Sequence, residues 1–365
     1  MFSIFRVDLP KNRNFGLDLL RFIAIISVLI PHSFMFLPHY IQNLSNYFID
    51  GVLIFFVLSG FLIGRILIKD FSKNFTLKEV KNFWKRRWFR TLPAYYISII
   101  IILILDFILN VQFQKVEVIK CILFLQNFFL RSNYFFPESW SLAIEEWFYL
   151  TIPIILLILF KIFKLKIQNN LIIIFLLILF ISTLYRINVF FTNDINTIVE
   201  WDIKLRGSVI GRLDSILIGV FGAWMYSFHK ELFFRFKKQC FLIGVLIFFI
   251  SLSYLIQSQE FGFINSVLYF FITPLAVLLT IPQIYSLKPI NNTFIQSIII
   301  KGSIISYSLY LTNYTIISNK ILSPLSIPQP LKFVLFWILS TLFSIMMYNY
   351  VEKPFLKFRD KISKA

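Results

Sequence analysis

A chain of 365 residues that is 58% hydrophobic, 19% aromatic and only 15% charged lies outside the range of soluble globular domains, which run about 45–50% apolar and about 25% charged. It is read as an all-α polytopic membrane protein, and its net charge of +18, which in a soluble protein would suggest a nucleic-acid partner, is assigned to charge asymmetry across a bilayer. Two cysteines in separate hydrophobic segments and three scattered histidines exclude a disulfide framework and provide no metal-ligand spacing, so no metal site is expected.

Apolar runs of spanning length fall near 17–37, 51–68, 92–110, 140–163, 170–190, 209–228, 239–257, 264–282, 298–319 and 331–350, which predicts about ten transmembrane helices. The segment 118–130 is apolar but too short to span, so it is expected to be re-entrant or interfacial. The basic N-terminus leads into a full-span run with no small-residue cleavage site after it, as an uncleaved first helix does. With the N-terminus inside, 25 of the 36 Lys and Arg fall on the cytoplasmic side and 7 on the other, which puts both termini in the cytoplasm. Residues 1–365 are expected to form a single membrane domain, with no appended soluble domain and no internal repeat.

The first helix carries Arg21 and His32 eleven residues apart. Eleven steps of about 100° make roughly three turns, so the two side chains share one face, about 16 Å apart along the axis. Ionisable groups inside a membrane are costly and normally look into a bundle or a wet cavity. The bland alternative is a histidine satisfied by a nearby carbonyl and an arginine snorkelling to the surface.

Asp50-Gly-Val-Leu-Ile-Phe-Phe-Val-Leu-Ser-Gly-Phe61 opens the second helix, where Ser59 and Gly60 suit close helix packing. The loop Phe83-Trp-Lys-Arg-Arg87-Trp-Phe-Arg90-Thr-Leu-Pro93 reads as one cytoplasmic amphipathic helix ending at the proline. It either rests on anionic lipid headgroups or captures an anion, since the guanidinium forks of Arg87 and Arg90 suit phosphates. In Trp140-Ser-Leu-Ala-Ile-Glu145-Glu146-Trp-Phe-Tyr149, two adjacent carboxylates stand inside a spanning segment, which is too expensive for structure alone. Gly211-Arg212-Leu-Asp214-Ser opens the sixth helix, and so close an Arg–Asp pair can neutralise itself. Ser306-Tyr-Ser-Leu-Tyr310-Leu-Thr-Asn313 lies in the ninth helix, and Val351-Glu352-Lys-Pro354 closes the tenth.

In this order and topology, these motifs resemble the membrane acyltransferase 3 family, the integral O-acyltransferases (O-antigen acetylase-like) of bacterial cell envelopes, over essentially the whole chain. The resemblance implies transfer of an acyl group, usually acetyl from acetyl-CoA, to a hydroxyl of an envelope or exported glycan in the bacterial inner (cytoplasmic) membrane. Acyl-CoA would then be a co-substrate with no bound cofactor, and the partners would be the donor, a carbohydrate acceptor and membrane lipid. The family's motifs carry over to Arg21 and His32, Arg87 and Arg90, and Glu145 with Glu146. The chain departs from the family pattern at Leu53, where Asp is frequent, and at Asn313, where His is frequent, so the family's roles are not carried over there.

Helix direction sorts the polar groups into two expected layers. Arg21, Arg65, Arg87, Arg90 and Glu352 fall at the cytoplasmic face, where the arginines would hold the phosphates of an acyl-CoA. His32, Glu145, Glu146, Arg212 and Asp214 fall in the outer half. There His32 would act as general base on the acceptor hydroxyl, one of the three carboxylates would orient it, and Tyr310 or Asn313 would donate to the oxyanion. Direct transfer and an acyl-histidine both fit. Two rival readings are a glycan or lipid-linked-sugar transporter or flippase, and a relative of the family that has lost activity.

Overall fold

Backbone polar groups within hydrocarbon have no water to bond, so long apolar runs close their hydrogen bonds internally as helices. The computed structural model describes residues 7, 13–42, 50–72, 75–128, 135–193, 195–257 and 261–362, and among these there is no strand. Arg6, Lys11, Lys73, Arg131 and Lys364 of the charge tally, and residues 129–130 of the short apolar segment, lie outside the described residues. The principal helices are α1 (Phe15–Phe34), α2 (Gly51–Phe71), α3 (Leu77–Ile108), α4 (Lys115–Ile122), α5 (Trp140–Phe163), α6 (Ile167–Thr192) and α7 (Leu213–Phe228). They continue with α8 (Lys237–Gln257), α9 (Tyr269–Tyr285), α10 (Thr293–Thr312), α11 (Gln329–Met347) and α12 (Lys353–Ile362). Among the described residues nine helical stretches are long and apolar enough to cross a membrane, which makes this an all-α, multi-pass membrane protein.

The sixth expected span, 209–228, is helical only from Leu213, and α7 has 16 residues. That is roughly 24 Å of helix, short of a hydrocarbon core of about 30 Å. Residues 207–212 run instead as a buried turn whose carbonyls are taken by neighbours. Asn127 Nδ2 donates to Gly207 at 2.5 Å, Ser182 Oγ to Ile210 at 2.7 Å and Arg186 Nη1 to Gly211 at 2.7 Å. Irregular backbone at this depth survives because protein donors replace water. The segment after α4 uses the same device. Tyr95 and Tyr96 hydroxyls donate to the carbonyls of Cys121 and Ile122, and Trp147 Nε1 to that of Phe124, all from positions well inside α3 and α5.

The amphipathic stretch does not end at Pro93. It forms the first turns of α3, a single helix of 32 residues with Pro93 inside it. Proline removes the helical N–H that would bond the Phe89 carbonyl, and close by the Tyr307 hydroxyl of α10 donates to the Thr91 carbonyl at 2.8 Å.

The most extensive helix pairing is α2 with α7. A Cβ built on Gly60 would fall 1.9 Å from the Ile216 carbonyl oxygen, and one on Gly219 would fall 2.1 Å from that of Val57. Gly60 and Gly64 are four apart on α2, the small-residue spacing that brings membrane helices into backbone contact. Gly60→Val is therefore expected to force the pair apart, costing about 3 kcal/mol and lowering the unfolding temperature in detergent. An unchanged temperature would contradict this packing. α1 sits between α2, α9 and α10. At the periphery, Leu242, Leu246 and Ile250 form an exposed stripe on α8, as a lipid-facing surface requires.

Candidate active site

Five helices enclose a cavity, and helical periodicity decides what they place in it. α1 contributes Arg21, and α3 contributes Arg87, Arg90 and Thr91. Ser141, Glu145 and Tyr149 recur every fourth residue on one face of α5, while α10 presents Ser306, Tyr307 and Tyr310. α2 supplies Ser59 and an apolar wall that includes Phe55 and Leu62. Arg21, Arg87 and Arg90 lie within electrostatic range of one another. None of the three makes an ion pair with a described residue, although Arg87 covers the Tyr149 ring at 5.3 Å.

Glu145 lines this cavity and Glu146 bonds to its wall, and neither is a partner of His32. Glu145 accepts from Ser59 Oγ at 3.1 Å and from the Tyr149 hydroxyl at 2.7 Å. Glu146 is buried and accepts from Thr91 Oγ1 at 2.7 Å. Ser59 thus faces the cavity, while its neighbour Gly60 packs on α7. Glu352 accepts from Ser308 Oγ. Arg65, expected beside the other arginines, is absent from the cavity wall; its guanidinium lies 4.8 Å from the Tyr226 ring, 5.7 Å from Tyr285 and 5.9 Å from Phe61.

His32 stands beyond the far end of the cavity, next after Pro31 in α1. Its Nδ1 is 2.6 Å from Asn313 Oδ1, so its partner is an amide where a carboxylate had been expected. The Tyr314 ring packs on it with centroids 4.7 Å apart, and Arg206 lies within electrostatic range. Asn313 Nδ2 donates to the carbonyls of Leu309 at 2.8 Å and Tyr310 at 3.0 Å, which leaves no hydrogen for an oxyanion. The Tyr310 hydroxyl closes the cavity: it donates to the Glu138 carbonyl at 2.7 Å and lies 2.7 Å from Ser141 Oγ. The cavity therefore ends one helical turn before the residue that holds His32.

Asp214 takes no part in either group. It pairs with Arg186 at 2.7 Å, both side chains being 1% exposed, and not with Arg212 two residues away. The Arg212 guanidinium lies over Phe270 at 4.7 Å and Phe56 at 5.6 Å, apart from the cavity wall. Leu53, at the frequently acidic family position, is fully buried. Asp50 caps α2, accepting from the Val52 and Leu53 N–H groups, and pairs with Arg206 at 3.2 Å. Burial pushes the Asp50 carboxyl up, but Arg206, with Arg212 behind it, outweighs that and holds it below the usual carboxylate range. Arg206 also covers the Trp140 ring at 4.6 Å.

Three residues beside the site escaped the sequence reading: Arg186, Arg206 and Glu138. Glu138 accepts from the Thr315 N–H at 2.9 Å and from Thr315 Oγ1 at 2.5 Å. Signals existed for two of them: Arg186 stands inside the expected span 170–190, and Arg206 is four residues from Asp202, with which it pairs at 2.6 Å.

A protein-family model described as an acyltransferase domain matches residues 14–349. The O-acetyltransferase OatA of Staphylococcus aureus strain NCTC 8325 is 28% identical over 366 residues, covering 94% of this chain and 57% of OatA. OatA of strain COL gives the same figures. A second protein of strain COL, provisionally named an O-acetyltransferase, is 27% identical over 367 residues with the same coverage. The chain thus spans 57% of the length of these relatives. No solved structure matches it significantly.

Proposed function

The chain belongs to the acyltransferase 3 family, and from that premise we propose that it is an O-acetyltransferase of the bacterial inner membrane, moving acetyl from cytoplasmic acetyl-CoA to a hydroxyl of an envelope or exported glycan. The observation that carries this reading is the cavity with three arginines and no ion-pair partner among the described residues, reaching to within a turn of the residue that holds His32. Three guanidinium groups facing a common space, none of them in an ion pair with a described residue, suit a polyanionic donor such as the phosphates of CoA. The loop charge asymmetry supports placing the Arg21 end of α1 toward the cytoplasm. The named relatives support acetyl as the group transferred.

In this scheme the pantetheine arm lies along the cavity past Glu145 and presents the thioester beyond Tyr310. His32 removes the proton from the acceptor hydroxyl as its oxygen attacks the thioester carbon. The carbon–sulfur bond then breaks, and the imidazolium returns the proton to the thiolate, giving free CoA and the acetyl ester. The Ser141 hydroxyl serves the developing oxyanion by giving up its bond to Tyr310, whose own hydrogen stays on the Glu138 carbonyl.

The test is to incubate the purified protein with radiolabelled acetyl-CoA and an envelope glycan extract, following both free CoA and label in the glycan. Transfer is expected with the wild type. Arg87→Gln with Arg90→Gln should weaken acetyl-CoA binding about 10- to 100-fold, from loss of charge-assisted hydrogen bonds, and abolish thermal stabilisation by acetyl-CoA. Unchanged affinity would remove the donor from this cavity, and absence of CoA release with every extract would favour a transporter.

A further inference from the structure

We propose that Asn313 is a positioning residue that holds His32 as the single neutral tautomer with its proton on Nδ1, leaving the Nε2 lone pair as the base. The consequence for turnover rests on the role given to His32 above, whereas the tautomer is measured independently of it.

The inference begins where α10 gives way to a π-helical stretch, Asn313–Leu322. At this junction Glu138 accepts from the Thr315 N–H at 2.9 Å, and the Tyr310 carbonyl accepts from Asn313 Nδ2 at 3.0 Å. The same nitrogen donates to the Leu309 carbonyl at 2.8 Å. Carbonyl oxygens only accept, so the amide cannot be turned round without setting its own oxygen against both of them. Its two hydrogens are committed, and Oδ1 is left facing His32 Nδ1 at 2.6 Å purely as an acceptor.

Two acceptors at that separation would repel, so Nδ1 carries a hydrogen and, in the neutral ring, Nε2 does not. The imidazolium formed during transfer also donates from Nδ1, so the same contact holds the ring throughout the reaction. Tyr314, next in the chain, packs on the ring from the same π-helical stretch. A carboxylate would fix the same tautomer but would place another charge inside the membrane, a cost the amide avoids.

The experiment is nitrogen NMR on the full chain in detergent, with labelled histidine in a His39→Gln, His229→Gln background so that His32 is the sole histidine. In the neutral ring the wild type is expected to show one form, protonated at Nδ1. Asn313→Leu removes the acceptor and should bring in the Nε2-protonated form, with kcat falling at least about 100-fold, the contribution of a positioned general base, and acetyl-CoA KM unchanged. A wild-type signal protonated at Nε2, or an equal mixture, overturns the proposal even if Asn313→Leu does not fold. An Asn313→Leu protein that keeps the wild-type tautomer overturns it as well. Tautomer loss in that variant without loss of turnover would uphold the structural assignment and refute His32 as the base.

Discussion

Replacing His32 by alanine is expected to lower acetyl transfer by about 10²–10⁴-fold, the contribution of a positioned general base, while leaving the affinity for acetyl-CoA unchanged. The separation of the two effects follows from geometry. His32 lies about 16 Å along α1 from Arg21 and is absent from the wall of the cavity where the arginines gather. Its hydrogen bond is with Asn313 and its ring contact with Tyr314, neither of which lines that cavity. His32→Gln provides a control of similar size, since it keeps a polar group toward Asn313 but cannot cycle a proton near neutral pH. Loss of turnover in both variants, with thermal stabilisation by acetyl-CoA retained, is the expected result. Near-normal turnover in His32→Ala would end its role as base.

Asp214→Leu is expected to destabilise the protein by about 3–5 kcal/mol, because it leaves the Arg186 charge buried without its partner. Combining it with Arg186→Met removes the stranded charge, so much of the loss should return. Recovery stops about 1–3 kcal/mol short, since the Gly211 carbonyl loses the donor that Arg186 supplied. Thermal unfolding of the single and double variants in one detergent measures both effects. A neutral single variant, or a double variant no better than the single, would show that the pair does not act as a buried ion pair. The site should respond too, because Arg186 braces the turn from which Arg212 and α7 start.

The sequence revealed the spans well and their interruptions poorly. Hydrophobicity marks α1, α2 and α6 because lipid and protein core both favour apolar side chains, so the length of a run is diagnostic. The same indifference hides the turn at 207–212, whose Val209 and Ile210 are as apolar as a helix would be. Pro93 misled in the opposite direction: a breaker in water is tolerated within a packed membrane helix. Arg21, Arg87 and Arg90 come together as their helix directions suggested. The grouping by depth failed for Glu145 and Glu146, because their positions along α5 do not say which side chains meet them. Arg186 reaches Asp214 across 28 residues, and Asn313 reaches His32 across 281, distances at which local pattern carries no information. The π-helical stretch at Asn313 is equally silent in the sequence, because its composition is that of any polar helix end.

Arg21 and His32 share one helix, and that fixes a length. With the donor seated as proposed, α1 acts as a measuring rod between the anchored end of the molecule and the point where the thioester must arrive. The gauge reads the carrier arm. A shortened carrier would stop below His32 however reactive its thioester, whereas extra carbons on the acyl group extend beyond the end of the rod. Selectivity built in this way is strict toward the handle of the donor and indifferent to its cargo. Any discrimination among acyl groups would then have to come from the walls around His32.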